Sequence, residues 1–260
     1  MKAGGRARAA AATILAVAVA ISAFIFLVVA DIELVAGRLE FYRRSFVRSG
    51  AVEKTGLDVD QLTWVVRRVL DYSTGRRADL QFDLAELDGG EPGRPAFTRR
   101  ELDHMRDVRA LFEKARVLKW VALGAAAAAA SALALLERRA ALLRLARAFA
   151  GVSVAIILGW GACAAAALAD FGGFWDLFHE VLFTNDLWLL PEDSLLIKML
   201  PESLFRSLAL AVLGLFAVQT VVILGAARWW SRGCEERGSA VRRSAAVTRH
   251  GGTGPPLTNE

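Results

Sequence analysis

The chain has few of the side chains that most enzymes use for chemistry near neutral pH. Its 260 residues include only two cysteines and three histidines. Cys163 lies inside an apolar block and Cys234 lies in a polar tail, so we expect no structural disulfide and no acyl-enzyme on a thiol at the outer face. Histidine is the side chain whose ordinary pKa falls within the physiological range. The candidates for proton transfer are therefore the three histidines, His104, His179 and His250.

Several catalytic motifs are also missing. No GxSxG segment occurs, which argues against a serine hydrolase of that type. Glu180 follows His179, but Phe183 occupies the place of the second histidine of an HExxH zinc site. The H-x4-D spacing of acyltransferases fails at both loop histidines, where Arg109 and Thr184 replace the aspartate. No glycine-rich phosphate loop is present, and we predict neither a metal nor another cofactor.

Apolar residues, by contrast, are abundant and come in blocks. They make up 55% of the chain, and four blocks reach the length of roughly 20 residues that crosses a bilayer. These blocks cover about 10–30, 117–137, 148–170 and 207–227. The pattern predicts an all-α polytopic membrane protein, with a single membrane domain over 1–260, four transmembrane helices and a helical extracytoplasmic cap.

The first block has a second interpretation. The basic residues before it, Lys2, Arg6 and Arg8, resemble the start of a secretory signal. Signal cores usually hold about 7–15 apolar residues, whereas this block holds about 20. We therefore expect a retained transmembrane helix.

Lysine and arginine predict the orientation in the membrane. The N-terminal tail has three basic residues and no acidic one, the link between the second and third spans has four arginines, and the C-terminal tail has six arginines against three glutamates. Cytoplasmic segments carry such an excess, so both termini should be cytoplasmic, with a disordered tail over 232–260. The loops 31–116 and 171–205 should lie outside the cytoplasm. This distribution accounts for the positive charge without a nucleic-acid partner.

His104 lies in the first loop, on a predicted helix. Thr98 and Glu101 form a capping box that starts the helix. At 100° per residue, His104 falls on an apolar face, and Asp107 is placed one turn on, within reach of the imidazole. A buried histidine satisfied by a carboxylate fits this spacing as well as a catalytic one does.

The sequence alone does not determine how far His104 lies from the membrane surface. If its helix runs straight into the second span, His104 stands about 24 Å above Trp120 at about 1.5 Å per residue. Either the helix bends, or it leans along the interface, or the site stands above the bilayer.

The second loop is rich in aromatic residues around His179. Its apolar positions suit a helix that lies in the membrane interface. An interfacial anchor alone explains the aromatic residues, but it does not explain the polar set His179, Glu180, Asn185 and Asp186. Two loop histidines on one side of the membrane can form an acid–base site in which one imidazole accepts a proton and the other polarises or protonates the opposite end of the reaction.

Three segments resemble the lipoprotein intramolecular transacylases (Lit) of Gram-positive bacteria. They are Asp71-Tyr72, the stretch 101–112 that contains Glu101-Leu102-Asp103-His104, and the second loop from Phe178-His179 through Asn185-Asp186 and Trp188 to Met199-Leu200-Pro201. The resemblance covers nearly the whole chain in topology. It implies a substrate lipoprotein whose N-terminal cysteine carries a diacylglyceryl group. The sn-2 acyl chain would move from that group to the α-amine of the same cysteine, at a site that also contacts membrane lipid.

The resemblance also implies roles for particular residues. His104 would be the general base and His179 would stabilise or protonate the leaving ester oxygen, although the two roles could be reversed. Asp107 would orient His104, and Asn185 with Asp186 would order the second loop. Tyr42, Tyr72 and Trp188 would line the substrate site.

Two other function classes fit the same histidines. One is a membrane lipid hydrolase, in which the histidines would bind zinc or act on ordinary phospholipid. The other is a non-catalytic sensor or assembly protein with structural histidines. Chelator sensitivity would distinguish the first, and unaltered turnover in histidine variants would distinguish the second.

Overall fold

The fold is almost entirely helical. The computed structural model describes residues 2–87, 93–137 and 140–250, with side chains over 4–87, 93–137 and 140–233. Within these ranges there is no β-strand, only an isolated antiparallel bridge between Asp83 and Pro95. The helices are α1 (Lys2–Ala36), α2 (Leu39–Ser49), α3 (Ala51–Thr55), α4 (Val59–Ser73), a 3-10 turn (Leu84–Glu86), α5 (Arg99–Leu136), α6 (Ala141–Ala169), α7 (Phe171–Leu182), α8 (Leu195–Met199) and α9 (Glu202–His250).

Four of the described helices are long and apolar enough to cross a membrane. They cover Gly4–Ala36, Arg99–Leu136, Ala141–Ala169 and Glu202–Gly233. The predicted class, an all-α polytopic protein with four transmembrane helices, is confirmed. Each helix is longer than the apolar block predicted from the sequence, because polar turns continue the helix beyond the apolar residues. The limits of the spans within these helices stay a prediction.

The predicted disordered tail is not what the structure contains. α9 continues as a helix to His250, so 232–250 is helical, while 251–260 lies outside the described residues. The segment 234–250 has no proline, and it is rich in alanine, arginine and glutamate. These residues favour helix even where the segment has no apolar face to bury. The prediction gave too much weight to the segment's polarity.

The chain divides into two compact units. The first comprises the start of α1 up to Ile21, Ala125–Ile156 and the chain from Gln219 onward. In it, Ala12 and Ala16 of α1 are buried together with Leu133 and Ala141. Small residues allow helix backbones to approach closely in lipid. Next to this cluster, the Arg144 guanidinium donates to the Glu137 carboxylate and to the Thr13 hydroxyl.

The second unit, Ser22–Gly124 with Ile157–Val218, contains both loops. Its core is built by the apolar faces of α2 and α4 together with residues around α8 and the start of α5. The members with no exposed surface are Phe46, Ala51, Leu62, Val65, Val66, Met199 and Leu204. Local signals fix where these helices begin and end. The Asp58 carboxylate caps α4 in a capping box with Gln61, and Gly50 ends α2 at a φ of 68°, a left-handed conformation that glycine adopts most readily.

Leu62 provides a test of this core. We expect Leu62→Ala to lower the free energy of unfolding by about 2–5 kcal/mol, because it removes a fully buried side chain and leaves a cavity. Unfolding by denaturant in detergent micelles, followed by far-UV circular dichroism, measures the change. Val47→Ala on α2 is the matched control, since Val47 is 69% exposed. Equal effects of the two substitutions would contradict the described core.

Candidate active site

The start of α5 positions His104. Thr98 precedes α5, and its hydroxyl accepts from the Glu101 backbone N–H at 3.3 Å. In return, the Glu101 carboxylate accepts from the Thr98 backbone N–H at 2.7 Å and from the Thr98 hydroxyl at 2.8 Å. The predicted capping box is therefore confirmed. It fixes the first turn of α5, and His104 follows one turn later.

Glu101 also makes a bond that the sequence did not reveal. Its second carboxylate oxygen accepts from the Leu196 backbone N–H, in the first turn of α8, at 3.1 Å. The side chain is only 1% exposed. A buried carboxylate is tolerated when hydrogen bonds satisfy it, and this one joins the start of α5 to the start of α8. The capping pattern identified Glu101 as a helix-start residue, but no local pattern indicates a partner so far along the chain.

His179 lies on the buried face of α7. Its ring is 7% exposed, and Nδ1 is 2.8 Å from the Trp175 carbonyl oxygen, one turn earlier. A carbonyl oxygen only accepts, so Nδ1 carries the proton and donates it. In the neutral ring this leaves Nε2 as a proton acceptor. Burial lowers the pKa of His179 below its ordinary value of 6.5, against the opposing effect of the Trp175 hydrogen bond and the Asp176 charge.

Aromatic rings surround His179. Trp188 stacks on the imidazole with ring centroids 4.7 Å apart and planes 21° apart. Trp175 meets the imidazole edge-on at 4.4 Å. Phe178 and Phe183 lie at 5.4 and 5.8 Å. The rings exclude water from the imidazole and fix its orientation. Trp188, which was predicted to line the substrate site, stacks on His179; its contact with substrate stays a prediction.

The two histidines are neighbours although they come from different loops. Their ring centroids are 6.4 Å apart, with planes 39° apart. Phe183 contacts both, with its centroid 5.5 Å from that of His104. The Nδ1 atom of His104 is buried and makes no hydrogen bond within the described part of the chain. This pair of imidazoles is the arrangement that an acid–base site needs.

Asp107 contacts a different partner from the one predicted. Its carboxylate accepts from the Asn185 side-chain amide at 2.9 Å, so the expected hydrogen bond from His104 to Asp107 is not what orients the imidazole. Asn185 in turn accepts from the Leu187 backbone N–H at 3.0 Å. The carboxylate thus fastens the second loop to α5, one turn after His104.

Asp186 takes part through its backbone. Its carbonyl oxygen accepts from the Arg100 guanidinium of α5, and also from the Leu189 backbone N–H at 3.1 Å. The loop after α7 is therefore tied to α5 by Arg100 and Asp107, on both sides of His104, and Glu101 ties the start of α8.

The two tyrosines lie away from the imidazoles. The Tyr42 hydroxyl donates to the Ala36 carbonyl at 3.0 Å, and burial raises the pKa of Tyr42 to about 12. The Tyr72 ring lies beneath the Arg109 guanidinium at 5.1 Å. Both tyrosines belong to the core of the second unit. Among the described contacts, none joins either tyrosine to His104 or His179, so the structure does not bring them into the site.

The structure also bears on metal binding. Among the described side chains, over 4–87, 93–137 and 140–233, no group of three or more His, Cys, Asp or Glu is arranged to hold a metal ion.

The tautomer of His179 can be measured. In protein labelled with 15N-histidine, we expect the NMR signals of His179 near neutral pH to show a protonated Nδ1 and a bare Nε2. Since burial lowers the pKa, the ring should gain its second proton only as the pH falls below 6.5. The His179→Ala variant assigns the signals. A bare Nδ1, or a titration above 6.5, would contradict the described hydrogen bond and burial.

Comparison with known proteins agrees with this geometry. The sequence matches the family profile "Lipoprotein intramolecular transacylase Lit" over residues 17–205, which is more than half of the chain. No curated protein matches the chain by sequence.

Solved structures are similar in fold. The membrane-integral lipoprotein intramolecular transacylase Lit from Bacillus cereus superposes with a TM-score of 0.66 at 15% identity, covering 86% of this chain and 98% of that protein. A histidine-to-arginine variant of that protein gives a TM-score of 0.61 at 16% identity, covering 91% and 96% of the two chains. At this identity the likeness shows the fold, while the family follows from the profile. The chain belongs to the lipoprotein intramolecular transacylase (Lit) family, a family of acyltransferases.

Proposed function

We propose that the chain transfers the sn-2 acyl chain of a diacylglyceryl-modified lipoprotein from its ester oxygen to the α-amine of the same N-terminal cysteine. The observation that carries this proposal is the juxtaposition of His104 and His179, 6.4 Å apart, in a protein of this family. Donor and acceptor already belong to one molecule. The enzyme's task is then to hold the amine against the ester carbonyl and to move protons.

His179 is the better candidate for the general base. Its Nδ1 proton is committed to the Trp175 carbonyl, so Nε2 of the neutral ring is free to accept a proton. Burial lowers the pKa of His179, and burial with the neighbouring His179 lowers the pKa of His104 to about 4, so both rings are neutral near pH 7. The fixed tautomer of His179 is therefore the observation that favours the reverse of the roles that the family resemblance first suggested.

His104 then acts on the oxygen side of the reaction. The amine nitrogen attacks the ester carbonyl carbon, a C–N bond forms, and the bond from that carbon to the sn-2 oxygen breaks. The proton lost by the amine ends on the sn-2 oxygen, so neither imidazole changes its protonation state over the whole cycle. His104 donates a hydrogen bond to the sn-2 oxygen as negative charge develops on it during bond breaking. The products are an amide and a free glyceryl hydroxyl.

The residues around the imidazoles support these roles in different ways. The Trp188 indole stacks on His179 and bounds one side of the space for the reacting groups. The Asp107–Asn185 bond and the Arg100 contact with the Asp186 carbonyl hold the loop that carries Trp188 in place. Tyr42 and Tyr72 stabilise the core behind α5 rather than contacting substrate.

Charge supports a location at the outer face of the cytoplasmic membrane. The arginine excess lies in the tails and in the link between α5 and α6, whereas the loop 171–205 is acidic. Such a distribution is typical of cytoplasmic termini and outer loops. The lipid-modified substrate reaches the site from the membrane, and the charge distribution calls for no nucleic-acid partner.

The histidines test the proposal. A reporter lipoprotein is expressed with this chain in a host that makes only diacylated lipoproteins, and its N-terminal lipopeptide is fragmented by mass spectrometry. We expect N-acylation with the wild-type chain and a loss of at least about a hundredfold in His104→Ala and His179→Ala, the scale of a missing general acid or base. The control is His250→Ala, the remaining histidine of the chain, which should keep full activity.

Membrane levels of each variant are compared by immunoblot, so that loss of the protein is not read as loss of turnover. Full activity in His179→Ala would sink the assignment of the base. Activity that is abolished by a chelator, or release of free fatty acid from ordinary phospholipid, would favour a metal-dependent lipid hydrolase instead.

A further inference from the structure

Helix α7 exposes much of an apolar stripe along one face. The stripe consists of Phe174, Leu177, Phe178 and Val181, which lie at positions i, i+3, i+4 and i+7 and so share one face. Leu177 is 56% exposed, Phe178 is 39% exposed and Val181 is 74% exposed. Contiguous exposed apolar surface of this kind marks a contact with membrane or with another protein.

The remaining residues of α7 separate into a charged face and a buried face. Asp176 and Glu180 are exposed on a second face, and Phe171 and His179 are buried on a third. A helix with an apolar stripe beside a charged face is suited to lie in the plane of a membrane interface, with the stripe towards lipid and the charges towards water.

Two contacts fix the level of α7 against membrane-spanning helices. Asp170 alone separates α7 from the end of α6, and its carboxylate caps α7 by accepting from the Gly173 backbone N–H at 3.0 Å. Trp175 stacks on Phe205, in the first turn of α9, with centroids 4.6 Å apart. Both α6 and α9 are candidate spans. α7 therefore lies level with the end of α6 and the start of α9.

We propose that the apolar stripe of α7 is immersed in the lipid leaflet on the loop side, at the boundary of headgroups and acyl chains. The occupant of the stripe is membrane lipid rather than a protein, because the stripe continues from the end of a span and its charged border faces the other way. Immersion of roughly 5–10 Å is usual for such helices.

This placement sets the depth of the histidines and, resting on the proposed function, of the reaction. His179 bonds to the Trp175 carbonyl, and the Trp175 ring stacks on Phe205. Its imidazole therefore lies near the level of the glyceryl esters of a lipid in that leaflet. His104, 6.4 Å away, lies at the same level. The substrate ester can then be reached without being pulled out of the membrane.

The same placement decides how α5 crosses the interface. α5 is one helix from Arg99 to Leu136, so His104 is about 24 Å along its axis from Trp120. With His104 at the membrane surface, α5 must lean, and its turns near Val117 and Trp120 then contact lipid. Val117 and Trp120 are 63% and 58% exposed, as this requires.

Two adjacent residues of α7, one on the apolar stripe and one on the charged face, provide the test. In a background of Cys163→Ser with Cys234→Ser, single variants Val181→Cys and Glu180→Cys are labelled with an environment-sensitive fluorophore. The full chain is reconstituted in vesicles of phosphatidylcholine and phosphatidylglycerol. We expect the label at 181 to be quenched several-fold more by lipid carrying a nitroxide on its acyl chain than by aqueous iodide, and the label at 180 to show the reverse.

Equal quenching of both labels by iodide would overturn the proposal, since α7 would then stand in water. A label at 181 that is shielded from both quenchers would also overturn the proposal. If this shielding decreases when the protein is diluted in lipid, the stripe contacts a second copy of the chain. The depth measurement does not depend on activity. Absence of acyl transfer with the expected quenching would therefore reject the proposed function and leave the position of α7 intact.

A pair of charge variants links depth to turnover. Both variants are made in the Cys163→Ser, Cys234→Ser background with the fluorophore at Leu177→Cys, since Leu177 is 56% exposed in the stripe. Val181→Asp places a carboxylate in the stripe, which opposes immersion, and we expect it to lower both acyl transfer and quenching of the label at 177 by lipid nitroxide at least several-fold. Glu180→Gln, on the water side, should change neither. Wild-type activity of Val181→Asp with the label at 177 out of the lipid would overturn the link between immersion of α7 and access to the ester.

Discussion

The arrangement around the histidines depends on one buried carboxylate. Glu101 lies in an apolar core at 1% exposure, where a carboxylate is costly unless its oxygens are hydrogen-bonded. Its bonds to Thr98 start α5, and its bond to Leu196 holds the start of α8. Together with the Asp107–Asn185 bond, this fixes both ends of the segment that carries Trp188. The position of the Trp188 ring against His179 is therefore determined by groups on α5, the helix that carries His104.

Local patterns in the sequence predicted the helices and the parts of the site that depend on them. Apolar blocks predicted four spans, since a bilayer demands runs of that length. The Thr98–Glu101 spacing predicted the start of α5, and with it the position of His104 in the second turn. The aromatic second loop predicted a helix around His179. In each case the residues that determine the structure lie within a few turns of one another, so periodicity and capping chemistry are sufficient.

Contacts between segments that are distant in sequence could not be predicted from such local patterns. Asp107 is placed by helical spacing to reach His104, yet its carboxylate bonds to Asn185 of the other loop. Tyr42 and Tyr72 were expected in the site, but they fill the core because their helices pack there. The Trp175 carbonyl that sets the tautomer of His179 is a backbone atom, which carries no mark in the sequence. Family membership supplied the reaction class, and geometry alone would have left an unassigned pair of imidazoles.

The central claim is an intramolecular ester-to-amide transfer at this pair, and a crossed-label experiment tests it most directly. Purified protein in vesicles is given two synthetic diacylglyceryl lipopeptides, one with an isotopically heavy peptide and a heavy sn-2 chain, the other with both light. The account predicts that each sn-2 chain moves to the amine of its own peptide, at unchanged total mass, with no heavy–light hybrids. Hybrid products, loss of one acyl chain as free fatty acid, or unchanged substrate with correctly inserted protein would contradict it.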